Sequence, residues 1–217
     1  MSRNKTSAAD LVPDRPTLAK VREAAKGCHA CDLYKRATQT VFGEGAPKAS
    51  LMLIGEQPGD VEDQTGHPFV GPAGKVLDRA LTDAGIDRTQ VYVTNVVKHF
   101  KWEPRGKRRI HAKPRASEIA ACSPWLETEL ALVKPQAVVC LGATAAKALL
   151  GAGFSVMARR GEFVESPLAP LVMATVHPSS ILRAPTHEAR DEAMEQFVAD
   201  LKTLAQRLRD FEKSRSG

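Results

Sequence analysis

The chain has 217 residues, of which 43% are hydrophobic and 26% charged. This is ordinary globular composition, with length enough for one α/β domain and its own core, and it excludes a mostly disordered, collagen-like or disulfide-dense chain. The net charge of +6 is concentrated: residues 98–115 (KHFKWEPRGKRRIHAKPR) hold eight Lys and Arg against one Glu, and the remainder is near neutral.

Met1 to Pro16 is polar and reads as a flexible N-terminal segment, with residues 17–217 forming a single domain. The opening MSRNKTSAAD has no apolar core of a secretory signal, which makes the cytoplasm the default compartment. Thr17 to Lys26 reads as a short helix, closed by Gly27. Ser50 to Ile54 (SLMLI) is a buried strand, followed by a polar loop from Gly55 to Gly71. Pro72 opens a helix whose apolar face is Leu77, Ala80, Leu81 and Ala84, and Gly85 ends it. Val91 to Thr94 is the second strand, and the basic segment follows. A helix from about Arg115 to Val133, a third strand from Gln136 to Leu141 and a helix from Ala143 to Leu150 come next. Leu171 to Thr175 is the fourth strand, and Glu188 to Phe211 a charged closing helix. No apolar stretch approaches the roughly 20 residues of a membrane span, so no membrane partner is expected.

Strands alternating with helices predict a parallel sheet covered on both faces, with ligands bound beyond the carboxyl ends of its strands. The polar signals fall there: GEQPGD after the first strand, Asn95 after the second, Gly142 after the third, and His177-Pro178-Ser179-Ser180 after the fourth. GEQPGD lacks both the P-loop and the dinucleotide fingerprints. Phe69 is either core or a stacking platform for a base. Asn95 is either a loop cap or a group whose amide pairs with the amide-like edge of a base. The two serines could meet phosphates, and Ile181 and Leu182 could wedge into a base stack. The basic segment is either a solvated run or a patch for a polyanion.

Cys28 and Cys31 form a C-x2-C pair; Cys122 and Cys140 lie far downstream with 17 residues between them. Four thiolates suit Zn(II) or an iron–sulfur cluster, and the spread second pair favours a [4Fe-4S] cluster over zinc. The Pro-Cys-x-x-Cys pattern of zinc deaminases is absent.

GEQPG together with HPS, these cysteine spacings, Phe69 and Asn95 resemble the family 4 uracil-DNA glycosylases from about Cys28 to Leu208. The inserted GKRRIH, ending in His111, is similar to the UdgX subgroup. The resemblance implies a three-layer α/β/α fold around a central four-stranded parallel sheet. It also implies a [4Fe-4S] cluster on Cys28, Cys31, Cys122 and Cys140, and uracil-containing DNA as partner, bound by a monomer. By the same resemblance, Phe69 stacks on flipped uracil and Asn95 reads its O4/N3 edge. Gly55 and Gln57 line the pocket, His177 bonds uracil O2, and Ser179 and Arg183 join the substrate contacts. Glu56 orients His111, the residue that in this subgroup bonds covalently to deoxyribose, and Asp60 and Arg109 are neighbours in the site. The alternatives are a conventional multiple-turnover glycosylase and a non-catalytic DNA-binding module.

Overall fold

The computed structural model describes residues 7–216. In chain order its elements are α1 (Leu18–Ala25), β1 (Glu44–Gly45), β2 (Leu51–Gly55), α2 (Asp60–Thr65), α3 (Pro72–Asp83), β3 (Val91–Asn95), β4 (Trp102–Arg105), β5 (Arg108–His111), α4 (Ala116–Val133), β6 (Ala137–Leu141), α5 (Ala143–Leu150), α6 (Val156–Arg159), β7 (Leu171–Thr175), α7 (Pro178–Leu182) and α8 (His187–Ser216). The main sheet runs β1-β3-β2-β6-β7. Its four long strands are parallel, and the two-residue β1 adds an antiparallel edge to the four strands expected.

Every residue of the four parallel strands is buried, as a sheet covered on both sides requires. Alternation divides them between two core layers. Met52, Ile54, Tyr92, Val138, Cys140, Val172 and Ala174 face the layer that holds Val21 and Ala25 of α1, Trp125 and Leu126 of α4, and Ala145 and Ala146 of α5. Leu51, Leu53, Val91, Val93, Val139, Leu141 and Met173 face Leu77 and Leu81 of α3 and Phe197, Leu201 and Leu204 of α8. The result is the three-layer α/β/α arrangement that the pattern predicts.

Several features depart from expectation. Of the supposed flexible segment, residues 1–6 lie outside the described part. From Ser7 the chain is folded: Ser7 caps a 3-10 turn over Ala8–Leu11, and Ala8 is fully buried in the first core layer. This apolar run is too short to show a period. The polar loop after β2 contains α2, whose Glu62 accepts hydrogen bonds from the Gly59 and Gly71 N–H groups and so gathers both ends of the loop. The basic segment, given no element from the sequence, forms a β4–β5 hairpin turning at Gly106 with φ of 60°. Ile181, a candidate wedge, is instead a core residue, because α7 turns it inward; Leu182 beside it is exposed.

Candidate active site

The site forms at the carboxyl ends of the parallel strands. Gly55 ends β2 opposite Asn95, which ends β3. Any Cβ on Gly55 would lie 2.4 Å from Asn95 Oδ1 and 2.7 Å from Phe69 Cζ, so glycine lets an amide and an aromatic ring close over the strand end. Phe69 is 6% exposed and has φ of 57°. A left-handed backbone at a bulky residue costs free energy and persists where its surroundings hold it. Asn95 is 3% exposed, and its Oδ1 is buried without a hydrogen-bond partner. An unpaired buried acceptor is expensive, and the expense is removed by a ligand that brings an N–H.

Opposite these groups stands His177, whose ring centroid lies 6.1 Å from that of Phe69. Burial pushes its pKa down to about 4, against the opposing pull of Glu56. His177 is therefore neutral at ordinary pH. Its Nδ1 accepts from the Ser179 N–H at 3.2 Å and lies 2.8 Å from Ser179 Oγ. These contacts leave the ring proton on Nε2, which makes His177 a neutral hydrogen-bond donor. Ser179 Oγ accepts from Arg183 Nη1 at 3.0 Å, and Ser180 Oγ donates to the His177 carbonyl at 2.7 Å. Both hydroxyls, expected to meet phosphates, thus hold the histidine turn in place.

Glu56 follows Gly55. Burial would raise its carboxyl, but hydrogen bonds from His111 and Thr144 and the nearby imidazoles outweigh it and hold the pKa below the ordinary range. His111 Nε2 lies 3.2 Å from Glu56 Oε1, and the His111 side chain is 50% exposed. Thr144, which donates to Glu56 Oε2, was not among the residues singled out in the sequence; its signal is a hydroxyl three residues beyond the end of β6.

Three expected site residues have structural tasks here. Gln57 donates from Nε2 to the Lys101 and Ala112 carbonyls, both at 3.1 Å, and accepts the Lys101 N–H at 3.0 Å. Its amide clamps the two feet of the hairpin and is committed there rather than to a pocket wall. Arg109 donates to Asp60 Oδ1 at 2.5 Å and to Asp63 Oδ2 at 2.6 Å. Asp63, fully buried and absent from the sequence-based set, also accepts the Thr38 N–H and hydroxyl. The Arg109 guanidinium lies over Phe100 and Trp102. Asp60 and Arg109 therefore fasten the hairpin to α2 and fix where His111 stands.

Cys28, Cys122 and Cys140 share the first core layer, and Cys31 packs against it. Trp125 Nε1 donates to Cys28 Sγ and the Lys98 N–H to Cys122 Sγ, each at 3.3 Å. Burial pushes the Cys122 and Cys140 thiols up to about 12, so as free groups they keep their protons. Among the described residues no three His, Cys, Asp or Glu side chains gather as ligands of a single metal ion.

Residues 42–202 match the family described as the Uracil DNA glycosylase superfamily. The type-4 uracil-DNA glycosylase of Pyrobaculum aerophilum is 36% identical over 179 residues, covering 77% of this chain and 86% of its own. That of Thermotoga maritima is 38% identical over 178 residues, with 82% and 89% covered. A type-5 uracil-DNA glycosylase of Pyrobaculum aerophilum is 30% identical over 184 residues, with 76% and 77% covered.

Proposed function

The chain belongs to the uracil DNA glycosylase superfamily, and from that premise we propose that it excises uracil from DNA and then keeps the deoxyribose, joined covalently to His111. The observation that carries the excision is the unpartnered Asn95 Oδ1 that closes with Phe69 over Gly55, with a neutral His177 whose ring centroid lies 6.1 Å from that of Phe69. Uracil completes it. Its N3–H gives Oδ1 a donor, its O4 takes the Asn95 amide N–H, and its face lies against Phe69. A base inside a duplex cannot reach these groups, so the nucleotide is flipped out or taken from single-stranded DNA. The hairpin sets the exposed Arg105, Lys107 and Arg108 beside the site, a cationic surface suited to the phosphates on either side.

Cleavage breaks the C1′–N1 bond, and both electrons leave with uracil. The Nε2–H of His177 meets the charge that grows on O2, and one such donor is worth roughly 10²–10³ in rate. The sugar is left as an oxocarbenium-like cation, which the ionised Glu56 favours by its charge. His111 then supplies a lone pair from a ring nitrogen to C1′. The ring's other proton passes to Glu56, and the product is a neutral imidazole N-glycoside. The Glu56–His111 contact supports this step because it holds the nucleophile and its proton acceptor together before DNA arrives.

A second reading keeps Glu56 and Thr144 as holders of a water, with His111 a DNA contact; the chain is then a conventional multiple-turnover glycosylase. Denaturing electrophoresis of the protein with a uracil-containing oligonucleotide separates the two. A heat-stable shifted band is expected. Abasic DNA without a band supports the second reading, and neither product leaves only a DNA-binding module.

We also assign the four cysteines to a [4Fe-4S] cluster. Three of the thiols share one core layer with the fourth packed against it, and N–H groups directed at two of the sulfurs match the surroundings of such a cluster. Its contribution would be to staple the segment before β1 to α4 and β6.

A further inference from the structure

Lys98 and Glu129 are both completely buried, with Nζ and Oε2 2.5 Å apart. A buried ion pair is weak evidence for stability, because desolvation of both charges offsets much of their attraction. What distinguishes this one is where the ammonium is directed. Besides Glu129, its donors reach Thr94 Oγ1 at 2.6 Å and the Asn95 backbone carbonyl at 2.8 Å. All three donors are used, two of them on the last two residues of β3.

The rest of Lys98 is equally fixed. Its N–H donates to Cys122 Sγ, and its carbonyl accepts from the Val41 N–H at 2.8 Å. Glu129 in turn accepts from the Gly43 N–H, the Tyr92 hydroxyl and the Thr94 hydroxyl. Beyond Asn95 the chain stays tied to β2 through Val96 N–H to Gly55 O and Val97 N–H to Glu56 O. The Asn95 carbonyl is therefore gripped from below by a cation, while its side-chain amide has an acceptor left unpaired above. A short amide reads a base edge only if its backbone does not rotate; the peptide between Asn95 and Val96 is held on its N–H side by the Gly55 carbonyl and on its C=O side by the Lys98 ammonium.

We propose that Lys98 is a positioning residue for base recognition, fixing the Asn95 peptide so that the side-chain amide meets uracil in one orientation. This rests on the assignment of Asn95 as the base reader. The prediction concerns the contribution of the base to binding, apart from the contribution of the DNA strand.

Two oligonucleotides measure it: one with 2′-fluoro-deoxyuridine, which resists cleavage, and one with a stable abasic analogue at the same position. The ratio of their affinities is the increment due to uracil. Lys98→Met alone would strand a buried carboxylate, so the test uses Lys98→Met with Glu129→Gln, which removes both charges and leaves an amide acceptor for the Gly43 N–H. In this double variant the increment should fall about tenfold, as for loss of a charge-assisted hydrogen bond, with abasic-analogue affinity unchanged. Glu129→Gln alone, which keeps the Lys98 amino group and its donors to Thr94 and Asn95, should lower the Tm without lowering the increment. If Asn95→Ala abolishes the increment and the double variant does not, Lys98 has no positioning role and the Asn95 assignment stands. If Asn95→Ala leaves the increment intact, the base-reader assignment fails and the positioning role with it. An equal loss in Glu129→Gln would also overturn the proposal, placing the effect in the ion pair rather than in the contact with Asn95.

Discussion

At the residue scale the site works by leaving some groups unsatisfied and holding others in one protonation state. Asn95 Oδ1 is unpaired, and His177 is kept neutral with its proton on Nε2. The ordinary imidazole pKa is 6.5, and burial pushes both His177 and His99 down to about 4. Between those values the unfolded chain binds more protons than the folded one, so stability is full above about pH 6.5 and declines as pH falls toward 4. Thermal unfolding should show a Tm falling by roughly 5 °C or more across that window, and His177→Asn should flatten the decline. The excision rate should keep its dependence on His177 down to near pH 4. A rate inflection near pH 6.5 that disappears in His177→Asn would show the imidazole to be freely titrating. Gly55, Glu56, Asn95, His111 and His177 were legible because they stand just past strand ends or in motifs. Thr144 and Asp63 were not, because a lone hydroxyl or carboxylate carries no pattern until a partner far along the chain, Glu56 or Arg109, is brought to it.

At the element scale the hairpin has the most to explain. Its sequence shows charge before periodicity: eight Lys and Arg conceal the alternation that places Trp102, Arg109 and His111 on one face and Glu103, Arg105 and Arg108 on the other. Trp102 stands directly across from His111, its indole N–H donates to the Arg36 carbonyl at 2.9 Å, and the Arg36 guanidinium lies 4.6 Å from its ring. The parallel strands were easier to read because each is a continuous apolar run between polar or glycine-containing segments. The clamp at the hairpin's feet leads to a separable outcome. Gln57→Ala removes three hydrogen bonds, each worth about 1 kcal/mol. Covalent capture should slow about tenfold or more, as loosening of a positioned nucleophile implies, while single-turnover uracil release changes little. Parallel loss of release and capture would return Gln57 to the pocket wall.

At the scale of the whole molecule, the sheet brings four strand ends together, α2 and the hairpin overlie them, and the first core layer carries the thiols beneath. The [4Fe-4S] cluster proposed for those thiols predicts brown purified protein with broad absorption near roughly 400 nm, and Cys122→Ala should then lose both colour and thermal stability. A colourless folded protein containing zinc would contradict it. The proposed function gives bond breaking to one set of groups, Asn95, Phe69 and His177, and capture to another, Glu56 just past β2 and His111 on the separately anchored hairpin. The most direct test of that division is His111→Ser with uracil-containing DNA on one denaturing gel, scored for the protein–DNA band and for alkali-cleavable abasic DNA. The expected result is loss of the band with abasic DNA still formed, since serine leaves room for a water beside Glu56. A band that persists in His111→Ser would contradict the assignment of the nucleophile, and loss of both products would show that capture and cleavage are a single step.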